Sequence, residues 1–332
     1  MSADKSQLSP GARKLINQFQ GGFPIVKRPF LQVAAMLGMR ESALITLVQD
    51  LVSNGVLSRF GPMYNASRMG GSQTLAALEV PQSRFSEVSD LINDMDQVAH
   101  NYRREHRLNM WFVLATEKAP QINSAIETIQ RITGLNVFEF PKLQEFYIGL
   151  FLHIGNDGSV DTKRPPDANA LSNYEAHEID RELMLASQAG LPIQPEPYSA
   201  LAENLNVEPA LVRSRFRSMI SSGVIRRIGA IPNHYRLGLR ANGMTVWDVD
   251  DSCAQNAGAA VGRLPFVSHC YLRPRYSGIW PYNLFAMVHG ENREQVHQKV
   301  QGIRNVLGER YNSHDVLFSS AVLKKTGLRL AA

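Results

Sequence analysis

The sequence predicts an α+β fold of two tandem repeats, each a winged helix-turn-helix followed by a ferredoxin-like βαββαβ domain. Three observations predict it. First, the chain repeats itself: LVSNGVLSRFGPMYNASRMGG from Leu51 returns as MISSGVIRRIGAIPNHYRLGL from Met219. Gly55 answers Gly223, Gly61 answers Gly229, Asn65 answers Asn233 and Gly70 answers Gly238, each 168 positions apart. Second, each copy opens on short helical patterns that stop at a glycine. Third, each copy continues with alternating apolar runs interleaved with two amphipathic helical runs. Drifted duplicates fold as pseudo-symmetric pairs, so residues that stay polar in both copies carry the most information.

The helices come first in each copy. LSPGARKLINQFQ places Leu15, Ile16 and Phe19 at helical spacing, with Ser9 before Pro10 as the cap. FLQVAAMLGMRESALITLVQDLVSNGVL then reads as helix, turn at Gly38, second helix and a stop at Asn54-Gly55. YSALAENLNVEPALVRSRFRSMISSGVI matches it in the second half, and LSRFGPM and IRRIGAI are the short wings.

The strands follow. The second half gives strand ANGMTVWDV, helix DSCAQNAGAAVGRL, strands FVSHCYLRPRY and WPYNLFAMVHG around a turn at Ser277-Gly278, helix NREQVHQKVQGIRNVL and strand HDVLFSSAVLKK. The first half gives TLAALEV, SRFSEVSDLINDM, QVAHNYRREHRL, NMWFVLAT, APQINSAIETIQRI and EFYIGLFLH in the same order, with a shorter hairpin. Pro, Asp and Asn cluster from Gly155 to Asn173. The predicted division is therefore a helix-turn-helix domain over 1–66, a ferredoxin-like domain over 67–154, a linker over 155–173, and the second pair over 174–236 and 237–332.

Composition narrows the class. With 332 residues, each repeat is long enough to bury its own core. A hydrophobic fraction of 44% and a charged fraction of 20% describe an ordinary globular chain. No run of 18 apolar residues exists, so no membrane span is expected, and MSADKSQLSPGARK lacks the apolar stretch of a secretion signal. Cys253 and Cys270 form neither a metal spacing nor a disulfide framework, which suits a cytoplasmic setting. The net charge of +5 admits an anionic partner, nucleic acid or polycarboxylate, without choosing between them.

Strand alternation singles out one polar face. His269, Tyr271, Arg273 and Arg275 fall two apart, as do His100, Tyr102, Arg104 and His106 in the first copy. The opposite face carries Cys270 and Leu272, or Asn101 and Arg103. A solvated charged sheet face accounts for either row taken singly. The same His-x-Tyr-x-Arg order in both copies favours a ligand site: two facing rows would form a cationic slot between the halves.

RRIGAIPNHYRLGLRANGMTVWDV, with HCYLRPRY and WPYN, carries a more specific signal. A helix-turn-helix followed by a ferredoxin-like sandwich resembles the Lrp/AsnC family of regulators, and this stretch resembles the siroheme decarboxylases of that fold. The resemblance covers essentially the whole chain and is closer in the second half. It implies a fused form of two subunits, as in heme d1 biosynthesis: a pseudo-dimer within one chain, with further assembly left open. The implied substrate is siroheme, an iron tetrapyrrole with eight carboxylates, and no cofactor beyond that iron is implied. The implied product is 12,18-didecarboxysiroheme.

Arg104, Arg273 and Arg275, with Arg226 or Arg227, are then the carboxylate clamps, because guanidinium binds carboxylate through paired, charge-assisted hydrogen bonds. Tyr102, Tyr271 and His106 complete the rows. Trp280-Pro281-Tyr282-Asn283 follows the hairpin, where Tyr282 would help wall a flat macrocycle, although tryptophans more commonly pack in cores. His234, in NHYRLG at the wing-to-sheet junction, suits a substrate contact and a packing role equally. His100 and His269 are the expected chemical pair. One of them, with His269 the candidate, would ligate the iron, while imidazole chemistry also suits proton delivery.

A ligand-responsive DNA-binding regulator is the main alternative, and a non-catalytic heme-binding protein is the third. ESALITLVQDL, at the first recognition position, has no Lys or Arg, whereas the second copy carries Arg213, Arg215 and Arg217. A dimeric DNA reader needs two matching helices, so nucleic acid is not the expected partner. P-loop, dinucleotide and nucleophile motifs are missing from the sequence.

Overall fold

The computed structural model describes residues 8–65, 68, 71–165 and 171–325. Gly70, one of the paired glycines, lies outside them, as does the predicted boundary at 66 and 67. Helices α1 (Pro10–Phe19), α2 (Pro29–Leu37) and α3 (Glu41–Ser53) open the first repeat. Ser9 caps α1 by accepting from the Ala12 amide at 3.2 Å, and Gly38 ends α2 in the left-handed conformation at φ 69°. The wing is β1 (Leu57–Tyr64).

The first sheet layer follows as β2 (Ser72–Leu78), α4 (Phe85–Asn93), β3 (Val98–Arg104), β4 (Met110–Thr116), α5 (Pro120–Thr133) and β5 (Phe138–Phe140). Then come β6 (Gln144–Ile148) and a hairpin of β7 (Phe151–Ile154) and β8 (Val160–Lys163). The second repeat runs α6 (Asp180–Ser187), α7 (Pro197–Asn204), α8 (Pro209–Ser221), β9 (Ile225–Pro232), β10 (Ala241–Val249), α9 (Ala254–Gly262), β11 (Val267–Leu272), β12 (Leu284–Gly290), α10 (Arg293–Leu307) and β13 (Tyr311–Lys325).

The two wings pair with each other. β1 and β9 form an antiparallel ribbon in which Gly61 lies opposite Gly229. A Cβ on Gly229 would come within 2.0 Å of the Phe19 carbonyl oxygen, so the backbone of α1 approaches where only glycine fits. Both helix-turn-helix units share one core, including Phe30 and Phe60 of the first and Tyr198 and Phe216 of the second.

Apart from the β7–β8 hairpin, the remaining strands among the described residues form one nine-stranded sheet in the order β5-β2-β4-β3-β13-β10-β12-β11-β6. Each repeat contributes the 4-1-3-2 strand order of a ferredoxin-like unit. β13 serves both: Tyr311 to Phe318 pairs with β10, and Ser319 to Lys325 pairs with β3. β5 pairs with β2 and β6 with β11 of the other repeat, so the two ends of the strand order are consecutive segments of the chain. Helices α4 and α5 cover one outer face and α9 and α10 the other. Between the inner faces lies a core drawn from both repeats: Trp111, Phe140, Val246, Trp280, Phe285 and Leu317 among them.

Two sequence expectations need correction. EFYIGLFLH is not one strand. It divides at Gly149 into β6, which joins the second repeat's sheet, and β7, which packs on α1 through bonds between Asn17 and Ile154. The fourth strand of the first repeat is β5, three residues long and too short to show periodicity. The predicted linker also begins in ordered structure, because residues 160–163 form the second strand of the β7–β8 hairpin.

Candidate functional site

Alternation on β3 and β11 separates two environments. On the helix side, Asn101 donates to Asn93 of α4 at 3.0 Å, Arg103 lies 4.5 Å over the Phe85 ring, and Cys270 packs under α9. His100, Tyr102 and Arg104 therefore lie on the inner face of the sheet, and so do His269, Tyr271 and Arg273.

The two rows are near copies. The His and Tyr ring centroids are 6.1 Å apart in each. Each guanidinium lies over its tyrosine, Arg104 over Tyr102 at 5.6 Å and Arg273 over Tyr271 at 4.9 Å. Arg104 donates from Nη1 to the Leu317 carbonyl, and Arg273 from Nη1 to the Phe140 carbonyl. Each guanidinium is thus anchored to the closing strand of the other repeat.

Burial sets the electrostatics. It lowers the pKa of Arg104 and of Arg273 to about 10, still charged at neutral pH. His100 falls to about 4 through burial and then the nearby Lys325, and His269 falls to about 4 through burial and then Arg226. His234 falls to about 3 through burial, with Lys325 and His269 adding to it. Both rows therefore present neutral imidazoles and charged guanidiniums. Tyr102 is pushed up to about 12 by burial and stays a phenol.

The NHYRLG segment enters the first row's neighbourhood. His234 and Tyr235 pack ring to ring at 4.3 Å, and the Lys325 ammonium lies 5.1 Å over Tyr235. Arg226 reaches Glu145 at 3.3 Å near His269, and Glu145 is also paired with Lys142 at 3.0 Å. Buried polar atoms with no partner among the described residues include Arg104 Nε, Arg273 Nε and His100 Nδ1 in the rows, and others away from them, such as Glu41 Oε1, Asn101 Oδ1 and Trp280 Nε1. An unmade buried hydrogen bond costs about 1–3 kcal/mol, and in the rows it leaves two guanidinium donors and one imidazole nitrogen available to a ligand. The guanidinium donors fit carboxylates, and imidazole is a side chain that fits iron.

Four expected positions lie elsewhere. Arg275 leaves the row after Pro274 and is satisfied by Asp248 at 3.0 Å, Asp251 and the Pro281 carbonyl, which leaves it no free donor face for a substrate. His106 lies beyond the end of β3, accepts from the Leu108 amide at 2.9 Å, and lines an outer cavity of about 590 Å³ with Pro81 and Ile279. Tyr282 packs edge-on against Trp280 at 5.1 Å. Trp280 itself is fully buried among Trp111, Phe140 and Phe285 and belongs to the core. Arg227 is buried against Phe151 and the Leu150 carbonyl, in the junction between wing and sheet.

The sequence reading missed Ser268, His289 and Asn242, which join His269 in a buried cluster, and Lys325 beside His100. His289 was findable: it falls on the inner face of β12, opposite Asn242, but stands as a lone histidine in an apolar strand.

Comparison with known proteins matches this architecture segment by segment. A family model described as the siroheme decarboxylase NirDL-like HTH domain matches residues 12–57 and 180–226. One described as an AsnC-like ligand binding domain matches residues 68–147 and 236–324. The siroheme decarboxylase NirDL subunit of Paracoccus denitrificans (strain Pd 1222) is 32% identical over 319 residues, spanning 96% of each chain. This chain belongs to the siroheme decarboxylase family.

Within that family, the NirH subunit of Paracoccus pantotrophus is 50% identical over 153 residues, covering 46% of this chain and 95% of its own. A crystal structure of siroheme decarboxylase NirDL in complex with an iron-uroporphyrin III analogue superposes with a TM-score of 0.68 at 24% identity, covering 95% of this chain and 92% of that one. The family's arrangement of two helix-turn-helix and two AsnC-like units is the one found here.

Proposed function

We propose that this chain is a siroheme decarboxylase, a carboxy-lyase that removes CO₂ from the acetate arms of siroheme to give 12,18-didecarboxysiroheme for heme d1. Family membership carries the reaction class. Two inward rows of His, Tyr and Arg, with their unpartnered buried donors, support the substrate class.

Each arm is converted from CH₂–COO⁻ to CH₃ with loss of one CO₂ and uptake of one proton, and no electron is transferred. Arg104 and Arg273 hold carboxylates of the macrocycle and orient an acetate against the ring. Tyr102, Tyr271 and His234 complete the contacts, with Arg226 and Arg227 outside them. Protonation of the electron-rich pyrrole makes the ring an electron sink for C–C cleavage. His100 and His269 face the ring, one to deliver that proton and one to meet the iron. Exclusion of water around the departing carboxylate favours neutral CO₂. Both imidazoles are neutral in the unliganded site, and the charge of the incoming carboxylates raises their affinity for protons.

We read the chemistry as requiring no cofactor beyond the substrate's iron. The pseudo-dimer within one chain is supported by subunit-sized relatives that cover about half of it. Among the described residues, no single helix is long and apolar enough to cross a membrane. A cytoplasmic setting is supported by two cysteines that are both unpaired.

The regulator reading draws less support. Arg215 is paired with Asp180 at 2.8 Å and Arg217 donates to the Ile25 carbonyl, so two of the three arginines on α8 are engaged within the fold. Anaerobic incubation with siroheme, followed by absorbance and mass spectrometry, tests the proposal. Loss of two CO₂ is the expected result; tight binding with unchanged substrate mass would identify a carrier and overturn it.

A further inference from the structure

We propose that a buried relay of Asn242, His289 and Ser268 fixes His269 in the tautomer with a bare Nε2, making it the axial ligand to the tetrapyrrole iron and leaving proton delivery to His100. The proposal rests on the decarboxylase reading for the identity of the iron, and on hydrogen-bond counting for the tautomer.

Ser268 Oγ lies 2.9 Å from His269 Nδ1 and 2.7 Å from His289 Nε2. His289 Nδ1 in turn bonds to Asn242 Oδ1. No carboxylate joins the hydrogen bonds of this cluster and His289 is buried, so nothing in it compensates an imidazolium and each ring carries one proton. An amide oxygen only accepts, so the His289 proton sits on Nδ1 and its Nε2 is an acceptor. The hydrogen available to that nitrogen is the Ser268 hydroxyl's. Ser268 Oγ then has only lone pairs to offer His269, so His269 Nδ1 must donate. The single proton of His269 is thereby used, and Nε2 carries a lone pair. Ser268 is also 3.3 Å from the Met287 carbonyl. Donation there would set two lone pairs against each other across the shorter 2.7 Å contact. Metal-binding imidazoles characteristically donate their second N–H to a partner that fixes orientation and raises basicity.

The first repeat lacks all three relay residues. Ala99 stands where the second repeat has Ser268. His100 lies opposite Val113 as His269 lies opposite Met287, which sets Ala115 where the second repeat has His289. Gln73 is the register partner of Ala115, as Asn242 is of His289. His100 Nδ1 is accordingly buried without a partner among the described residues. With Nδ1 uncommitted, His100 is not held to one tautomer from that side, and it suits a proton donor better than a fixed ligand. Duplication followed by divergence of three side chains has separated the two roles.

Two-bond proton–nitrogen correlation spectra of the unliganded protein, labelled with ¹⁵N-histidine, read the tautomer directly. Nδ1–H at His269 is expected; Nε2–H would overturn the proposal and would mean that the Asn242 amide is turned over. Ser268→Ala is expected to yield mixed tautomers and about 10–100-fold weaker siroheme binding, with Ser268→Thr restoring both. In anaerobic complexes with siroheme, His269→Ala should lose the imidazole-ligated absorption signature and His100→Ala should keep it. Retention of that signature in His269→Ala would also overturn the assignment. If wild-type protein binds no siroheme, the functional reading and the iron assignment fail together, while the unliganded spectra still decide the relay.

Discussion

Arg104 donates to the Leu317 carbonyl at 2.7 Å, so a guanidinium on β3 of one repeat is held by the last strand of the other. Its Nε has no partner among the described residues, and Arg273 repeats the arrangement against Phe140. These arginines are positioned by the association of the halves and by neither half alone.

Substitution of either arginine should therefore weaken ligand binding strongly. Arg104→Gln, which keeps a donor but loses the charge, is expected to raise the siroheme Kd about tenfold or more, since charge-assisted bonds are worth about 1.5–3 kcal/mol. Arg275→Gln, whose side chain is occupied by Asp248 and Asp251, is expected to change Kd by less than about threefold. Anaerobic absorbance titration checks both.

Stability should fall on mild acidification. His100 and His234 have folded pKa values near 4 and 3, below the ordinary imidazole value of about 6.5. Below that value the unfolded chain takes up protons that the fold refuses, so the contribution of these groups is intact above about pH 6.5 and declines as pH drops toward 4. On the order of 1–2 kcal/mol per histidine is lost by pH 5. Thermal melts at pH 7 and pH 5 should show a drop that shrinks in a His100→Gln, His234→Gln double variant.

Gly229→Ala should be costly. The added methyl would meet the Phe19 carbonyl at 2.0 Å and the residue sits at φ 154°, whereas Gly22 has nothing within 4 Å. Strain and overpacking together amount to about 2–5 kcal/mol. Chemical denaturation of Gly229→Ala beside Gly22→Ala measures the difference.

Arg215→Ala should behave as a folding variant. The guanidinium makes a two-pronged bond to Asp180, which is buried and also accepts from Tyr174 at 2.7 Å. Removing one partner of such a pair costs about 3–5 kcal/mol. A lowered melting temperature is expected, with no gel shift of a duplex at low salt by wild type or variant.

Much of the architecture was legible because duplication supplies an internal alignment. The glycines at 61 and 229 and the shared His-x-Tyr-x-Arg order marked both wings and both polar rows, while the pairing of the two wings with each other left no mark in the sequence. Arg275 and His106 extended the rows one step too far. A period of two holds only while the strand continues, and β11 ends at Leu272 and β3 at Arg104. The relay stayed hidden for a different reason: Asn242, Ser268 and His289 come from three separate strands, and no local pattern ties them together. Strand exchange was equally invisible, since pairing partners across repeats leave no mark on the periodicity of β13.

The exchanged strand constrains how the chain must assemble. β13 runs 15 residues, beginning in its own layer and ending beside β3. Cutting the connection between the repeats would therefore not release two finished units. Each fragment would expose an edge that only its sibling can cover, so separately produced halves must meet during folding, and the chain gains by delivering both at a one-to-one ratio.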